Sequence, residues 1–141
     1  LKFDLEENNN YQITVLPGAF TDFYNTSNDT LNIKVNTKLI SSYGDLRLNI
    51  KNANYPLIIQ LITKNGYVKV EQIAQAPGPV DFIYLEPGNY FLIVIYDTND
   101  IGQYDTGHFL KKIQPERVSY AEDLIEVRAD WSQIVDFTLE D

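Results

Sequence analysis

The sequence contains no cysteine and no methionine, and among its 141 residues it has one histidine and one tryptophan. Without cysteine the chain can form no disulfide, no thiol nucleophile and no cysteine-ligated zinc site. A single histidine also excludes a histidine-rich zinc site. Basic residues are few, because 11 Lys and Arg stand against 20 Asp and Glu for a net charge of −9. Such a chain repels phosphate backbones, so we expect no nucleic-acid partner.

Long apolar stretches are also missing, since no run approaches the roughly 18 residues that a membrane-spanning helix requires. We therefore expect no membrane span in this chain, and we find no signal-peptide pattern in it. The chain does not begin with methionine, which favours a fragment or a processed protein. It does have 44% hydrophobic and 13% aromatic residues, enough for a packed core. Wholesale disorder is thereby excluded.

Alternation of apolar and polar residues with a period of two is the main pattern along the chain. It puts one face of a strand in a core and the other in water, as in antiparallel sheets. Two segments, 57–63 and 90–96, are apolar on both faces and predict central strands. The ten predicted strands are 1–6, 11–16, 31–37, 46–52, 57–63, 67–73, 80–85, 90–96, 125–131 and 134–139. Around 119–123 the pattern lapses, and a turn or two of helix is the alternative there.

The predicted strands divide near residues 39–44. Three strands precede this point, too few to close a sandwich. Seven follow in about 97 residues, the size of an immunoglobulin-like or transthyretin-like sandwich. We therefore predict an incomplete unit at 1–40 and an all-β, antiparallel, seven-stranded sandwich at 45–141, with residues 1–38 packed against or beside it. The predicted buried residues include Leu48, Ile59, Leu92, Val94, Val127 and Trp131.

Short motifs in both parts of the chain carry a resemblance to known proteins. The N-terminal motifs are Leu16-Pro17-Gly18-Ala19-Phe20-Thr21-Asp22, Asn28-Asp29-Thr30-Leu31 and Val35-Asn36-Thr37-Lys38. They resemble the closing strands of bacterial Ig-like domains. The C-terminal motifs are Leu85-Glu86-Pro87-Gly88-Asn89-Tyr90, Tyr96-Asp97-Thr98-Asn99, Tyr104-Asp105-Thr106-Gly107, Gln114-Pro115-Glu116 and Ala129-Asp130-Trp131. They resemble the small transthyretin-like or carboxypeptidase-regulatory-like sandwich that follows such a domain in surface lipoproteins of Bacteroidetes.

The resemblance implies that the chain is the C-terminal piece of a longer secreted or lipid-anchored protein. Residues 1–40 would then be the closing strands of a partial Ig-like domain, and 45–141 the transthyretin-like sandwich. The expected location is extracellular or on the outer-membrane surface, and the expected partners are upstream domains of the same polypeptide. The resemblance implies no enzymatic activity.

The segment 97–105 has the spacing of a calcium-binding loop, with Gly102 at the sixth position. The candidate ligands are Asp97, Asn99, Asp105 and the carbonyl of Gln103. Two departures weaken the pattern, because Ile101 holds the fifth position and His108 replaces the bidentate glutamate at the twelfth. Any calcium affinity is therefore expected to be low. The alternative is a turn whose Asx side chains accept hydrogen bonds from their own backbone.

No catalytic motif is evident, and we predict that the protein is not an enzyme and requires no cofactor. His108, the only histidine, is predicted to lie on the surface or at a hairpin edge. Adjacent carboxylates are predicted to be solvated faces. These pairs are Glu6-Glu7, Glu122-Asp123 and Glu140-Asp141.

The aromatic residues raise the question of ligand binding, since aromatic faces stack on sugars. Trp131 continues the alternation of Ile125, Val127 and Ala129, so we assign it to the core. The better contact candidates are loop tyrosines, namely Tyr24, Tyr43, Tyr55 and Tyr104. Two functions remain open: a non-catalytic spacer, assembly or ligand-presenting module, and a glycan- or peptide-binding module that uses loop aromatics. Exposed sheet edges also favour pairing between chains.

Overall fold

The computed structural model describes residues 4–140 and is all-β. The chain divides into two compact units, Leu1–Ile40 and Ser41–Asp141, so the division falls inside the predicted interval 39–44. Within the described residues the only helices are two short 3-10 turns, Ile40–Ser42 and Phe109–Lys111. None of the helices in that range is long and apolar enough to cross a membrane.

The first unit contains a two-stranded antiparallel hairpin of β1 (Asn10–Val15) and β2 (Leu31–Asn36). Its cross-strand pairs alternate between apolar and polar, so one face is wholly apolar. The apolar pairs are Tyr11–Val35, Ile13–Ile33 and Val15–Leu31. On the other face the hydroxyl of Thr14 donates a hydrogen bond to the side-chain oxygen of Asn32, at 2.8 Å. The predicted alternation of both strands is confirmed.

The predicted first strand, 1–6, is not borne out where it can be compared. Residues 4–6 lie outside any strand, and residues 1–3, with the apolar positions Leu1 and Phe3, lie outside the described residues. The packing of residues 1–38 beside the sandwich stays a prediction.

The second unit holds eight strands. They are β3 (Gly44–Lys51), β4 (Leu57–Thr63), β5 (Val68–Ala74), β6 (Val80–Leu85), β7 (Gly88–Tyr96), β8 (Val118–Tyr120), β9 (Ile125–Val127) and β10 (Ser132–Thr138). One sheet has the order β10-β3-β6, and the other has the order β5-β4-β7-β8, with β9 also paired to β7. The all-β, antiparallel sandwich is confirmed, but the described residues of this unit form eight strands where seven were predicted, because β8 adds to them, and β10 and β3 form one parallel pair.

The core lies between these two sheets and follows the alternation of their strands. The three-stranded sheet contributes Leu46, Leu48 and Phe82, and the five-stranded sheet contributes Leu57, Ile59, Leu61, Leu92 and Val94. Five of the residues predicted to be buried are so: Leu48, Ile59, Leu92, Val94 and Val127. Each buried aliphatic side chain of this size stabilises the fold by about 1.5–3 kcal/mol. Ile58 and Ile95, paired side by side on the opposite face, are also buried, so the central strands are covered on both sides there.

Trp131 corrects the prediction, because its side chain is 59% exposed and does not belong to the core. The strand predicted at 125–131 ends at Val127. Asp130 then adopts a positive φ of 55°, which ends the period of two. Alternation therefore no longer decides which side Trp131 occupies. A second difference is β8, a strand formed where the sequence pattern lapses and a short helix was the alternative.

Candidate functional site

A groove of about 450 Å³ lies beside β9 and β10 of the sandwich unit, and we call it the acidic groove. Its apolar lining residues are Leu92, Ala121, Leu124, Ile125, Trp131, Val135 and Phe137. Its polar lining residues are Glu122, Asp123, Glu126, Arg128, Gln133 and Asp136. The volume is in the range of pockets that hold small ligands or single anchoring side chains.

The turn between β9 and β10 places Trp131 at this groove. The amide of Asp130 donates to the carbonyl of Tyr43 at 2.9 Å, and the amide of Asp45 donates to the carbonyl of Trp131 at 2.9 Å. Gly44 allows this approach, because a Cβ there would lie 2.2 Å from the Arg128 carbonyl oxygen. The start of β3 thus fixes the backbone of the turn, while the indole of Trp131 stays exposed at the groove.

Some acidic residues of the groove form ion pairs within the described part of the protein, and others do not. Arg128 binds Glu126 at 2.7 Å, and this hydrogen bond and its charge hold the pKa of Glu126 below its usual range. The Asp136 carboxylate accepts from Lys51 at 2.8 Å and from Asn49, so its pKa is also lowered. Both acids thus already have a basic partner within the protein.

Glu122 and Asp123 differ from the other acids of the groove. Both are exposed, and neither has an ion pair or side-chain hydrogen bond with another residue in the range 4–140. They follow Ala121, which packs against the core, so their backbone is anchored on one side. The acidic groove therefore presents two adjacent unpaired carboxylates beside an apolar floor and an exposed indole.

The segment 97–105 shows how carboxylates are used when they are buried. Asp97 is only 1% exposed. Its two carboxylate oxygens accept hydrogen bonds from the amides of Ile101 and Gly102, at 3.1 and 2.8 Å. The Ile101 amide also donates to the side-chain oxygen of Asn99, in the i to i+2 pattern of an Asx turn.

Glu116, which the sequence analysis did not single out as a site residue, is the second buried carboxylate of this region, at 8% exposure. One of its oxygens accepts from the amide of Thr98 at 2.9 Å, and the other accepts from the amide of Asp105 at 3.0 Å. Glu116 thus joins the beginning and the end of the 97–105 turn. A single glutamate among solvated acids gives no sequence signal, because its burial depends on how the chain returns to β8.

The four candidate calcium ligands are only partly brought together. A side-chain nitrogen of Asn99 donates to Asp105 at 3.3 Å, Asp97 shares the Ile101 amide with Asn99, and Gln103 is exposed. Residues 4–140 contain no group of three or more His, Asp or Glu side chains placed to hold a metal ion. The hydrogen bonds are those of the turn alternative, and calcium binding stays a hypothesis from the sequence spacing. His108 is exposed and bridges to Ile113 at a hairpin edge, as expected.

The four candidate tyrosines do not form one site. Tyr24 is 83% exposed and belongs to the first unit, where it contacts Phe23 edge to face. Tyr43 contacts Tyr84 edge to face, with ring centroids 6.3 Å apart. Tyr55 packs against the core. Tyr104 is 45% exposed on the segment after β7. Two aromatic residues line the groove instead: the partly buried Phe137, and Trp131, which the alternation had placed in the interior.

No protein-family model matches the chain, and no curated protein is found as its relative.

Proposed function

We propose that the sandwich unit is a non-catalytic binding module for assembly, and that the acidic groove holds a peptide segment with an apolar side chain beside a positive charge. The observation that carries the proposal is an exposed indole beside two unpaired carboxylates and an apolar floor. An apolar side chain would be desolvated on this floor, and a neighbouring lysine or arginine would face Glu122 and Asp123. The indole of Trp131 would add a cation–π or stacking contact.

The scattered tyrosines support this assignment over the tyrosine-based site. A ligand that contacts several aromatic rings needs them on one surface, and the acidic groove has two such rings, Trp131 and Phe137. Placement of this module on a secreted or surface-anchored protein rests on the resemblance of the sequence motifs, and the all-β fold agrees with it. The proposal is compatible with a spacer role, because a domain that separates its neighbours can also bind a peptide segment.

The test is a calorimetric titration of the whole chain with a short peptide that contains Phe-Leu-Lys-Lys. We expect weak, saturable binding, which Trp131→Ala weakens about tenfold, equivalent to about 1.4 kcal/mol. The matched control is Tyr67→Ala, which removes an aromatic ring that is 73% exposed in the turn between β4 and β5. Tyr67→Ala should leave the affinity unchanged.

Two results would contradict the proposal. One is equal loss of binding in both variants, because the contact would then not involve the groove. The other is binding of a neutral oligosaccharide in place of the peptide, which would favour the glycan-binding alternative.

A further inference from the structure

The chain between β7 and β8 carries an exposed apolar and basic segment, which we call the basic loop (residues 108–113). Phe109 is 94% exposed and Leu110 is 85% exposed. Lys111 and Lys112 follow directly, in a chain whose net charge is −9. A contiguous exposed apolar patch next to charged side chains is typical of a contact surface.

The basic loop has a defined shape. The amide of His108 donates to the carbonyl of Ile113 at 2.9 Å, and the amide of Ile113 donates back at 3.1 Å. Lys112 closes the loop in the left-handed region, at φ 54°. Gly107 allows the close return of the chain, because a Cβ there would lie 2.5 Å from the Ile113 carbonyl oxygen. A loop that is already shaped loses less entropy when it binds.

One buried carboxylate joins the chain segments on either side of the loop. Glu116, three residues after Ile113, accepts from the backbone of Thr98 and Asp105. The amide of Glu116 in turn donates to the carbonyl of Asp105 at 3.0 Å. Asp105 and Glu116, which lie before and after the basic loop in the chain, are therefore bonded to each other, while Phe109 and Leu110 stay exposed.

The basic loop and the acidic groove are complementary in charge and in polarity. The loop offers two apolar side chains and the adjacent pair Lys111 and Lys112. The groove offers an apolar floor and the adjacent pair Glu122 and Asp123. None of residues 108–113 lines the groove of its own chain. Lys111 and Lys112 have no ion pair within residues 4–140. The lysines of the loop and the carboxylates of Glu122 and Asp123 therefore all lack a charged partner in this range.

We propose that the basic loop of one chain binds in the acidic groove of a second copy, with Phe109 or Leu110 on the floor and the lysines on Glu122 and Asp123. This inference rests on the proposed function of the groove and names its ligand. The contact joins two different surfaces, so it is heterologous and leaves a free loop at one end and a free groove at the other. Assembly therefore continues head to tail, either until it closes into a ring or as a series of growing oligomers.

An anionic membrane is the other surface that an apolar and basic loop could bind. The charge of the whole chain disfavours it, because −9 is repelled by anionic headgroups while only two lysines attract. The groove supplies an apolar and acidic complement on the protein itself, which is why we commit to a second copy.

The test is sedimentation velocity of the whole chain over a wide concentration range, with two variants. The loop variant carries Phe109→Ser and Leu110→Ser, and the groove variant carries Glu122→Lys and Asp123→Lys. All four positions are exposed, so we expect both variants to fold. The wild type should form oligomers, and each variant alone should have its association weakened at least about tenfold. Tyr67→Ser, at an exposed aromatic elsewhere, should associate like the wild type.

The decisive sample is an equimolar mixture of the two variants. The loop variant keeps an intact groove and the groove variant keeps an intact loop, so the mixture should form a one-to-one dimer that grows no further. A mixture that stays monomeric while the wild type associates would overturn the inference, and so would a wild type that stays monomeric throughout.

A peptide with the sequence of residues 106–115 separates this inference from the proposed function. If the peptide that contains Phe-Leu-Lys-Lys binds the groove but the chains do not associate, the groove function stands and the self-association is wrong. If neither occurs, both are wrong. Anionic phosphatidylserine vesicles test the membrane alternative. If the wild type stays monomeric and binds these vesicles, and the loop variant does not bind them, the loop is a membrane-binding segment and the inference is overturned.

Discussion

The sandwich unit has two contrasting kinds of carboxylate. One kind is buried and hydrogen-bonded to the backbone, and the other is exposed and without a partner among the described residues. In the segment after β7, the carboxylates of Asp97 and Glu116 are buried, and each accepts hydrogen bonds from two backbone amides. In the acidic groove, Glu122 and Asp123 are exposed and have no such partners in residues 4–140. A buried carboxylate is tolerated only when its hydrogen bonds are made, so the first pair is structural. The second pair is free to meet a ligand.

The largest expected effect separates these two uses by a matched pair of substitutions. Asp97→Ala leaves the amides of Ile101 and Gly102 without their acceptor, and we expect it to lower the free energy of unfolding by about 2–4 kcal/mol. Asp123→Ala removes the same carboxylate from an exposed position and should change it by less than about 0.5 kcal/mol. Urea unfolding curves of both variants measure the difference. If the two substitutions lowered the free energy of unfolding equally, the distinction between the buried and the exposed carboxylates would be wrong.

The second prediction concerns the backbone that supports the basic loop. Gly107 has φ +74°, and a Cβ there would lie 2.5 Å from a backbone oxygen, whereas Gly66 has φ +82° and open space around it. Gly66→Ala should therefore lower the free energy of unfolding by only about 1–2 kcal/mol, the cost of placing alanine in the left-handed conformation. Gly107→Ala should cost more, about 2–4 kcal/mol, because the clash adds to the conformational cost. Thermal unfolding of the two variants tests this, and equal stabilities would show that the close return of the chain is wrong.

The third prediction is smaller and concerns Trp131. Because the side chain is 59% exposed, Trp131→Ala should lower the free energy of unfolding by less than about 1 kcal/mol. A buried tryptophan would cost roughly 3–5 kcal/mol on truncation. Chemical unfolding followed by far-ultraviolet circular dichroism gives the value without relying on the indole. A loss in the higher range would return Trp131 to the core and remove it from the groove.

The smallest expected effect is that of calcium on the segment 97–105. The oxygens of Asp97 already accept two backbone amides, and the side-chain nitrogen of Asn99, rather than its oxygen, faces Asp105. We therefore expect the same melting temperature in millimolar calcium and in chelator. Binding to the folded state alone would raise it. A rise that Asp97→Ala abolishes would establish the calcium site predicted from the spacing.

The strands of this protein could be predicted because their residues alternate and because few other signals compete. Leu48, Val94 and Val127 are buried as the period of two requires. The parallel pairing of β10 with β3 could not be predicted, because alternation fixes which face a strand buries and says nothing about its neighbour. The short strand β8 was missed for a related reason, since three residues are too few to show a period.

The candidate site was harder to predict than the fold. Extending the alternation from Val127 to Trp131 ignored the end of β9 and the turn at Asp130, whose positive φ interrupts the extended backbone on which the period of two depends. The burial of Glu116 depends on hydrogen bonds to Thr98 and Asp105, which are distant in sequence. Adjacent Phe109 and Leu110 beside two lysines, outside any alternating segment, are the one signal in the sequence that could have identified the basic loop.

The central claim is that the acidic groove beside Trp131 binds an apolar and basic segment, and the fluorescence of Trp131 tests it most directly. Trp131 is the only tryptophan of the chain, so its emission reports on the groove alone. We predict that a peptide containing Phe-Leu-Lys-Lys shifts this emission to shorter wavelength in a saturable way. The double substitution Glu122→Gln and Asp123→Gln should weaken this shift. A peptide containing Phe-Leu-Glu-Glu should cause no shift. Emission that stays unchanged at millimolar peptide, or that responds equally to the basic and acidic peptides, would contradict the account.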